Sequence, residues 1–268
     1  MESFKNKVVL ITGASSGIGK ALAEEALNQG ANVSVCARNL EKLQAHFREH
    51  PKVFCVRADV GKEEDCRHFI EASLEKFGKI DVLINNAGVS MRALFSELDL
   101  NVLRELMDIN FWGAVCCTKF ALPSILQQKG IIIGVSSIAG YRGLPARTGY
   151  SSSKFAMQGF MEALRTELLY SGVHVMWVCP GFTASNIRNT ARSADGSAQK
   201  ETPLNENRLM SAETCARIIF EAAQKRKRTV VMTLQGKITV ILNKLFPGLA
   251  DKLVFKHFLK EPDSPLKR

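Results

Sequence analysis

One Tyr-x-x-x-Lys spacing, Tyr150-Ser-Ser-Ser-Lys154, opens a stretch whose apolar residues Phe155, Met157, Phe160, Met161, Leu164 and Leu168 recur at helical intervals. On a helix, positions i and i+4 share a face, which puts the Lys154 ammonium near the Tyr150 phenol. A phenol beside a cation is an acid/base group. Bringing its pKa from about 10 to near 7 requires roughly 4 kcal/mol, and one charge at about 4 Å supplies about that at an effective dielectric of 20. Alone the spacing is an ordinary surface pair, and its company gives it meaning. Thirteen residues before the tyrosine, Ser136 and Ser137 end a short apolar run, where a hydroxyl can hydrogen-bond a carbonyl oxygen. A serine hydrolase does not fit: Gly134-Val-Ser136-Ser-Ile138 lacks the second glycine of a nucleophile elbow, and no histidine is placed as its base.

A second constellation lies near the start of the chain. An apolar run leads into Thr12-Gly13-Ala-Ser15-Ser16-Gly17-Ile18-Gly19, followed by the helical pattern Lys20–Asn28 with Gly30 to end it. Glycines there let the backbone turn tightly and approach a pyrophosphate at the positive end of the helix. The spacing G-x3-G-x-G departs from the usual G-x-G-x-x-G, and such a stretch can also be a plain turn. A nucleotide-binding sheet commonly carries an acid about 20 residues further on to hold the adenosine ribose; here that place is taken by Arg38. Guanidinium can hydrogen-bond a 2′-phosphate, each such bond being worth about 1.5–3 kcal/mol, so NADP is expected over NAD. A solvated arginine starting the next helix is the other reading. Asp59 could accept from an adenine amino group or cap the helix beginning near Lys62. Asn85-Asn86-Ala87-Gly88 and Asn110 could line a cofactor without charge, or simply make turns.

These residues need elements to hold them. Strands are predicted at Val8–Thr12, Val33–Ala37, Val53–Ala58, Val82–Asn85, Ile131–Ser136, Val173–Cys179 and Val230–Thr233, with helical segments between. Near-continuous apolar strands alternating with crossover helices indicate an α/β fold: a doubly wound, seven-stranded, mostly parallel sheet with helices on both faces. Such sheets bind ligands outside the carboxyl ends of their strands, where most of the residues singled out fall.

The joint pattern resembles the short-chain dehydrogenase/reductase family over about residues 5–235. The resemblance implies a tetrad: Tyr150 as general acid in reduction, Lys154 holding the nicotinamide ribose and tuning Tyr150, Ser137 binding the carbonyl, and Asn110 supporting a proton relay through water. It implies further that Pro180, Gly181 and Thr183 border the nicotinamide and that Asp59, Val60, Asn86, Ala87 and Gly88 line the adenosine side. Arg38 matches the family's NADP-preferring variant, but Ser16 stands before Gly17 where a basic residue would add a second phosphate anchor. A homodimer or homotetramer is also implied. The function expected is NADP(H)-dependent reduction of a carbonyl, or oxidation of the alcohol, on a lipophilic substrate such as a ketosphingoid, a steroid or another ketone. The alternatives are a 3-oxoacyl-thioester reductase and, in another class, a catalytically idle NADPH-binding scaffold, which would have no need to keep all four tetrad residues.

Composition sets the outer limits. The odd count of seven cysteines, with no Cys-x-x-Cys, suits neither a disulfide framework nor a zinc site, and the five histidines show no ligand spacing, so no metal is expected. No run of 18 apolar residues is present, and strand-like sequence from Lys7 leaves no room for a signal peptide; a cytoplasmic protein is expected. Residues 224–268 hold 11 Lys/Arg and 3 Asp/Glu of the chain's 36 and 26, leaving 25 and 23 for the rest. That balance argues against nucleic-acid binding by the main domain. We divide the chain into a cofactor-binding domain at 1–235, including a polar, mobile substrate lid at 182–211, and a C-terminal helical extension at 236–268. The extension reads as two short basic amphipathic helices broken at Phe246-Pro-Gly248, packed on the domain or a partner subunit, or attached peripherally to an anionic membrane.

Overall fold

The computed structural model describes residues 4–47, 50–183, 187–199 and 209–267. Seven strands, β1 (Val8–Thr12), β2 (Asn32–Ala37), β3 (Val53–Arg57), β4 (Val82–Asn85), β5 (Ile131–Val135), β6 (His174–Cys179) and β7 (Thr229–Val231), form one sheet in the order β3-β2-β1-β4-β5-β6-β7. Every pairing is parallel, so the sheet is wholly rather than mostly parallel, and strand ends differ from the sequence reading by one or two residues. Continuous burial along β1, β4, β5 and β6 reflects helices on both faces.

Successive strand residues feed opposite cores. Val9 and Ile11 pack with α1 (Gly17–Asn28), α2 (Leu40–Phe47) and α7 (Ala212–Gln224), whereas Val8 and Leu10 pack with α3 (Glu63–Phe77), α4 (Leu100–Met107), α5 (Gly113–Gln128) and α6 (Thr148–Glu167). Strand order runs outward from β1 in one direction and from β4 in the other, opening a crevice beyond their carboxyl ends. A π-helical turn, Asp108–Trp112, joins α4 to α5. The continuous helical stretch Leu100–Gln128 is long and apolar enough to cross a membrane, but half of it is buried, and its apolar side chains such as Leu106, Cys117 and Ile125 are core.

The extension forms α8 (Leu234–Leu245) and α9 (Pro247–Leu259). Pro247 starts α9 at the place where a missing N–H is harmless, which explains the break. One side of this pair packs on the domain: Asn243 donates to the Tyr141 carbonyl at 3.0 Å and accepts from Arg142 at 2.9 Å, Asp251 pairs with Arg142, and Ala250 and Phe258 are buried. Of the segment 182–211 expected to be a mobile lid, residues 187–199 are tied down: Arg192 donates from its backbone to the Ser90 carbonyl at 2.8 Å and pairs with Glu105, and the Ala194 carbonyl accepts from Asp99 N. Residues 184–186 and 200–208 of that expectation lie outside the described residues.

Candidate active site

A cavity of about 480 Å³ runs along the carboxyl ends of β1, β2, β4, β5 and β6. Its wall includes the residues that the sequence proposed for the tetrad and the cofactor except Asn110 and Asn85, both buried, the latter donating from Nδ2 to the Thr118 hydroxyl at 2.9 Å. The folding of β1 into α1 explains the first part. Gly13 has φ +71°, and a Cβ there would come within 2.8 Å of the Ala87 Cα, so the turn after β1 can press against the Asn86-Ala87-Gly88 loop. A Cβ on Gly19 would meet the Gly13 carbonyl at 2.2 Å. Asn86 and Thr12 bind the two loops: Asn86 Nδ2 donates to the Thr12 carbonyl at 2.9 Å, and the Thr12 hydroxyl accepts from the N–H groups of Asn86 and Ala87 at 3.0 Å. Ser16 caps α1 without a side-chain bond, leaving the helix's first N–H groups turned to the cavity. A cradle of small residues ending in a bare helix N-terminus fits the pyrophosphate of a dinucleotide.

Arg38 is exposed where β2 ends and borders the cavity. Lys42, in the first helical turn that follows, borders it too, as does Asn39, whose Oδ1 accepts from Lys42 N at 2.7 Å. Lys42 therefore supplies a second cation beside Arg38, although the position before Gly17 lacks one. The sequence reading missed it because it looked for that cation in the glycine turn, whereas the helix after β2 brings it. Asp59 does not cap α3: its Oδ1 accepts from Gly61 N at 3.1 Å, and Lys62 occupies the cap position.

At the other end, Tyr150 and Lys154 stand on the first turns of α6, facing the end of β5. Ser137 opens a 3-10 turn, its hydroxyl accepting from Ala139 N at 3.2 Å, and it lines the cavity with the Tyr150 phenol, whose ionised form it favours. Lys154 is only 3% exposed and donates to the Val135 carbonyl at 2.9 Å, with its nitrogen 5.7 Å from the centre of the Tyr150 ring. Burial pulls the Lys154 ammonium down to about 8. Burial also raises the Tyr150 phenol above its ordinary value, outweighing Ser137, Arg147 and Arg188, which pull it down. The sequence reading expected Lys154 to bring the phenol towards neutrality. Here the ammonium lies over the ring and bonds to backbone, so desolvation decides the direction.

Asn110, in the π-helical turn, is fully buried. Its Oδ1 accepts from Val89 N at 2.8 Å, and its Nδ2 donates to the Val89 carbonyl and the Ser153 hydroxyl, each at 2.9 Å. The side chain thus clamps the segment after Gly88 to α6. Two further residues were not foreseen on the cavity wall: Arg147, the N-cap of α6, and Glu261 from beyond α9.

The family model described as short chain dehydrogenase matches residues 7–196. The Dehydrogenase/reductase SDR family protein 7-like of Dictyostelium discoideum is 35% identical over 95% of this chain and 82% of its own length. The 11-beta-hydroxysteroid dehydrogenase A of Sesamum indicum is 33% identical over 99% of this chain and 79% of its own. Among solved structures, a short chain dehydrogenase/reductase from Burkholderia phymatum in complex with NAD superposes with a TM-score of 0.81 and 25% identity, covering 93% of this chain and 96% of that one. An alcohol dehydrogenase from Thermococcus sibiricus complexed with 5-hydroxy-NADP gives 0.71 at 25% identity, over 85% and 94%.

The clamp makes Asn110 a structural test of the site. Asn110→Ala leaves the Val89 N–H and carbonyl buried without partners, and the expected destabilisation is about 2 kcal/mol or more. Urea unfolding followed by circular dichroism measures it; a loss below about 0.5 kcal/mol contradicts the clamp.

Proposed function

Because the chain belongs to the short-chain dehydrogenase family of oxidoreductases, we propose that it transfers a hydride between NADP(H) and the carbonyl carbon of a lipophilic ketone. The observation that carries this reading is that the Tyr150 phenol, the Ser137 hydroxyl and Lys154 meet in the same cavity as the cradle at the start of α1. When bound there, the nicotinamide supplies or accepts the hydride. Ser137 and Tyr150 hold the substrate oxygen between two hydroxyls, and Tyr150 gives it a proton in reduction. A phenol raised by burial keeps that proton at neutral pH, which suits the general acid of the reducing direction. Lys154, brought to about 8, is close enough to neutrality to serve as a proton reserve beside Tyr150, and it would hold the ribose of the cofactor.

Arg38, Asn39 and Lys42 form a basic corner at the end of β2, with no carboxylate among the three, and it suits a 2′-phosphate. The preference for NADP rests on this corner. Steroid-type ketones are supported as substrates by the similarity to proteins named as plant hydroxysteroid dehydrogenases, such as that of sesame.

The second face of the extension supports a location. Leu234, Ile238, Ile241, Leu245, Phe246 and Leu249 are between 50 and 74% exposed on α8 and the start of α9, and Lys237, Lys244, Lys252, Lys256 and Lys260 are exposed among or after them. A continuous apolar strip edged by lysines matches an anionic bilayer, with side chains entering the acyl region and ammonium groups meeting headgroups. We infer peripheral attachment through this face. Substrate would then reach the cavity from the membrane.

Three measurements test these readings. Tyr150→Phe abolishes NADPH-dependent ketone reduction while NADPH binding by fluorescence titration stays within a few-fold; ordinary turnover refutes the acid/base assignment. Arg38→Asp weakens NADPH by roughly 10- to 150-fold and leaves NADH unchanged or improved; equal losses make Arg38 structural. The protein co-sediments with vesicles of phosphatidylglycerol and phosphatidylcholine, less so at high salt, and the Ile241→Asp/Leu245→Asp variant does not. Failure to sediment at low salt, or self-association through this face abolished by the same variant, rules attachment out.

A further inference from the structure

The cavity wall contains a charge cluster that the reaction just described does not use. Arg147 caps α6 three residues before Tyr150, and its Nη2 donates to both carboxylate oxygens of Glu261 at 3.2 Å. Arg92, from the loop following β4, brings its own Nη2 to 3.4 Å from the same carboxylate and donates to the Pro262 carbonyl at 2.6 Å. The Phe258 ring lies 4.6 Å from the Arg147 guanidinium carbon. Glu261 comes from the far end of the chain, yet it is 7% exposed and borders the same cavity as Arg147 and Tyr150.

Two buried guanidinium groups share one carboxylate, so the cluster carries an excess positive charge. Such an arrangement holds only while the anion is present. Without it the two cations repel each other, and neither has a described carboxylate close enough to replace Glu261. The cheapest relief is for Arg147, at the edge of the cavity, to swing towards solvent.

We propose that Glu261 is a positioning residue for the carbonyl chemistry, holding Arg147 through its two carboxylate oxygens so that a guanidinium faces Tyr150. The proposal rests on Tyr150 being the acid/base group. It makes the C-terminal segment part of the active site: docking of residues 258–262 is what brings the charge into place. The groups facing the phenol come from several elements. Ser137 stands after β5, Cys179 ends β6, Arg188 follows β6, Lys154 shares α6, and Arg147 begins it. Burial lifts the Cys179 thiol to about 12, so it stays neutral in the working range, and Lys154 titrates near 8 from its place on the Val135 carbonyl. The cation that the C-terminal segment controls is Arg147.

The test uses full-length protein labelled with 13Cζ-tyrosine. The chain has three tyrosines, and the Tyr150 resonance is the one missing from Tyr150→Phe. Arg147→Gln should move the Tyr150 titration about one pH unit upward. Glu261→Ala should move it in the same direction, and the double variant should go no further than Arg147→Gln alone, since both changes remove one interaction. The alkaline limb of kcat/KM for ketone reduction should move with it, and kcat should fall while NADPH affinity stays within about threefold. Glu261→Gln provides a second way to remove the charge if Glu261→Ala folds poorly, and it should behave alike. The proposal is overturned if Arg147→Gln shifts the phenol while both Glu261 changes leave it in place, if nothing shifts it, or if the single effects simply add. Turnover retained by Tyr150→Phe, with the titrations as expected, would instead remove the acid/base assignment and leave the coupling standing.

Discussion

Lys154 carries an ammonium into a site where it is 3% exposed, and the hydrogen bond described for it goes to the carbonyl of Val135. A charge so placed is tolerable only if backbone carbonyl dipoles and bound polar groups replace the water it loses. That requirement fixes the neighbourhood. β5 must stop at Val135, because a further ladder bond would occupy that carbonyl, and α6 must begin at the height that lets its second turn reach it. The same start of α6 brings Tyr150 to the hydroxyl of Ser137, which has left the sheet and opened a 3-10 turn. Tyr150, Ser137 and Lys154 are therefore positioned by where one strand ends and one helix begins.

Asn110 holds the third side of this arrangement. A regular α-helix from α4 into α5 would carry its side chains round at a constant angle, and the π-helical turn interrupts that at the residue that must point inward. Its amide then satisfies both the N–H and the carbonyl of Val89, in the segment that follows β4. The bond to Ser153 ties the same point to α6. The loop carrying Asn86 to Gly88 is thus gripped from the glycine turn on one side and from α6 on the other. The glycine turn, this loop and the start of α6 are thereby tied together by hydrogen bonds.

Much of this was legible in the sequence because it is local. The seven strands are short apolar runs bounded by turn residues, and parallel burial makes them read as such; the glycines and the Tyr-x-x-x-Lys spacing lie within single turns of chain. Three things were not legible, for different reasons. Lys42 was on view but unweighted, since the position sought for a second cation was the glycine turn. The ionisation of Tyr150 depends on how much water its ring loses and on which way Lys154 points, and spacing on a helix determines neither. The meeting of Arg147 with Glu261 joins positions 114 residues apart. Nothing near Glu261 in the sequence marks it out from an ordinary surface acid.

That pairing also changes the meaning of the extension's charge. Its excess of lysine and arginine was evident from composition, but composition does not say which way each charge faces. Two of its three acids pair with arginines of the domain: Asp251 with Arg142, and Glu261 with Arg147 and Arg92. The five lysines of α8, α9 and the residue after them are exposed. Folding therefore sorts the charges, pairing these anions with arginines of the domain and leaving the outer surface more basic than the segment's net charge indicates. The apolar residues divide in the same way, Ala250 and Phe258 inward and Ile238, Ile241, Leu245 and Phe246 outward. A segment sorted like this on two faces is hard to explain by packing alone, because packing needs only one. The inner face has its partner in the domain, and the outer face carries exposed apolar side chains edged by lysines.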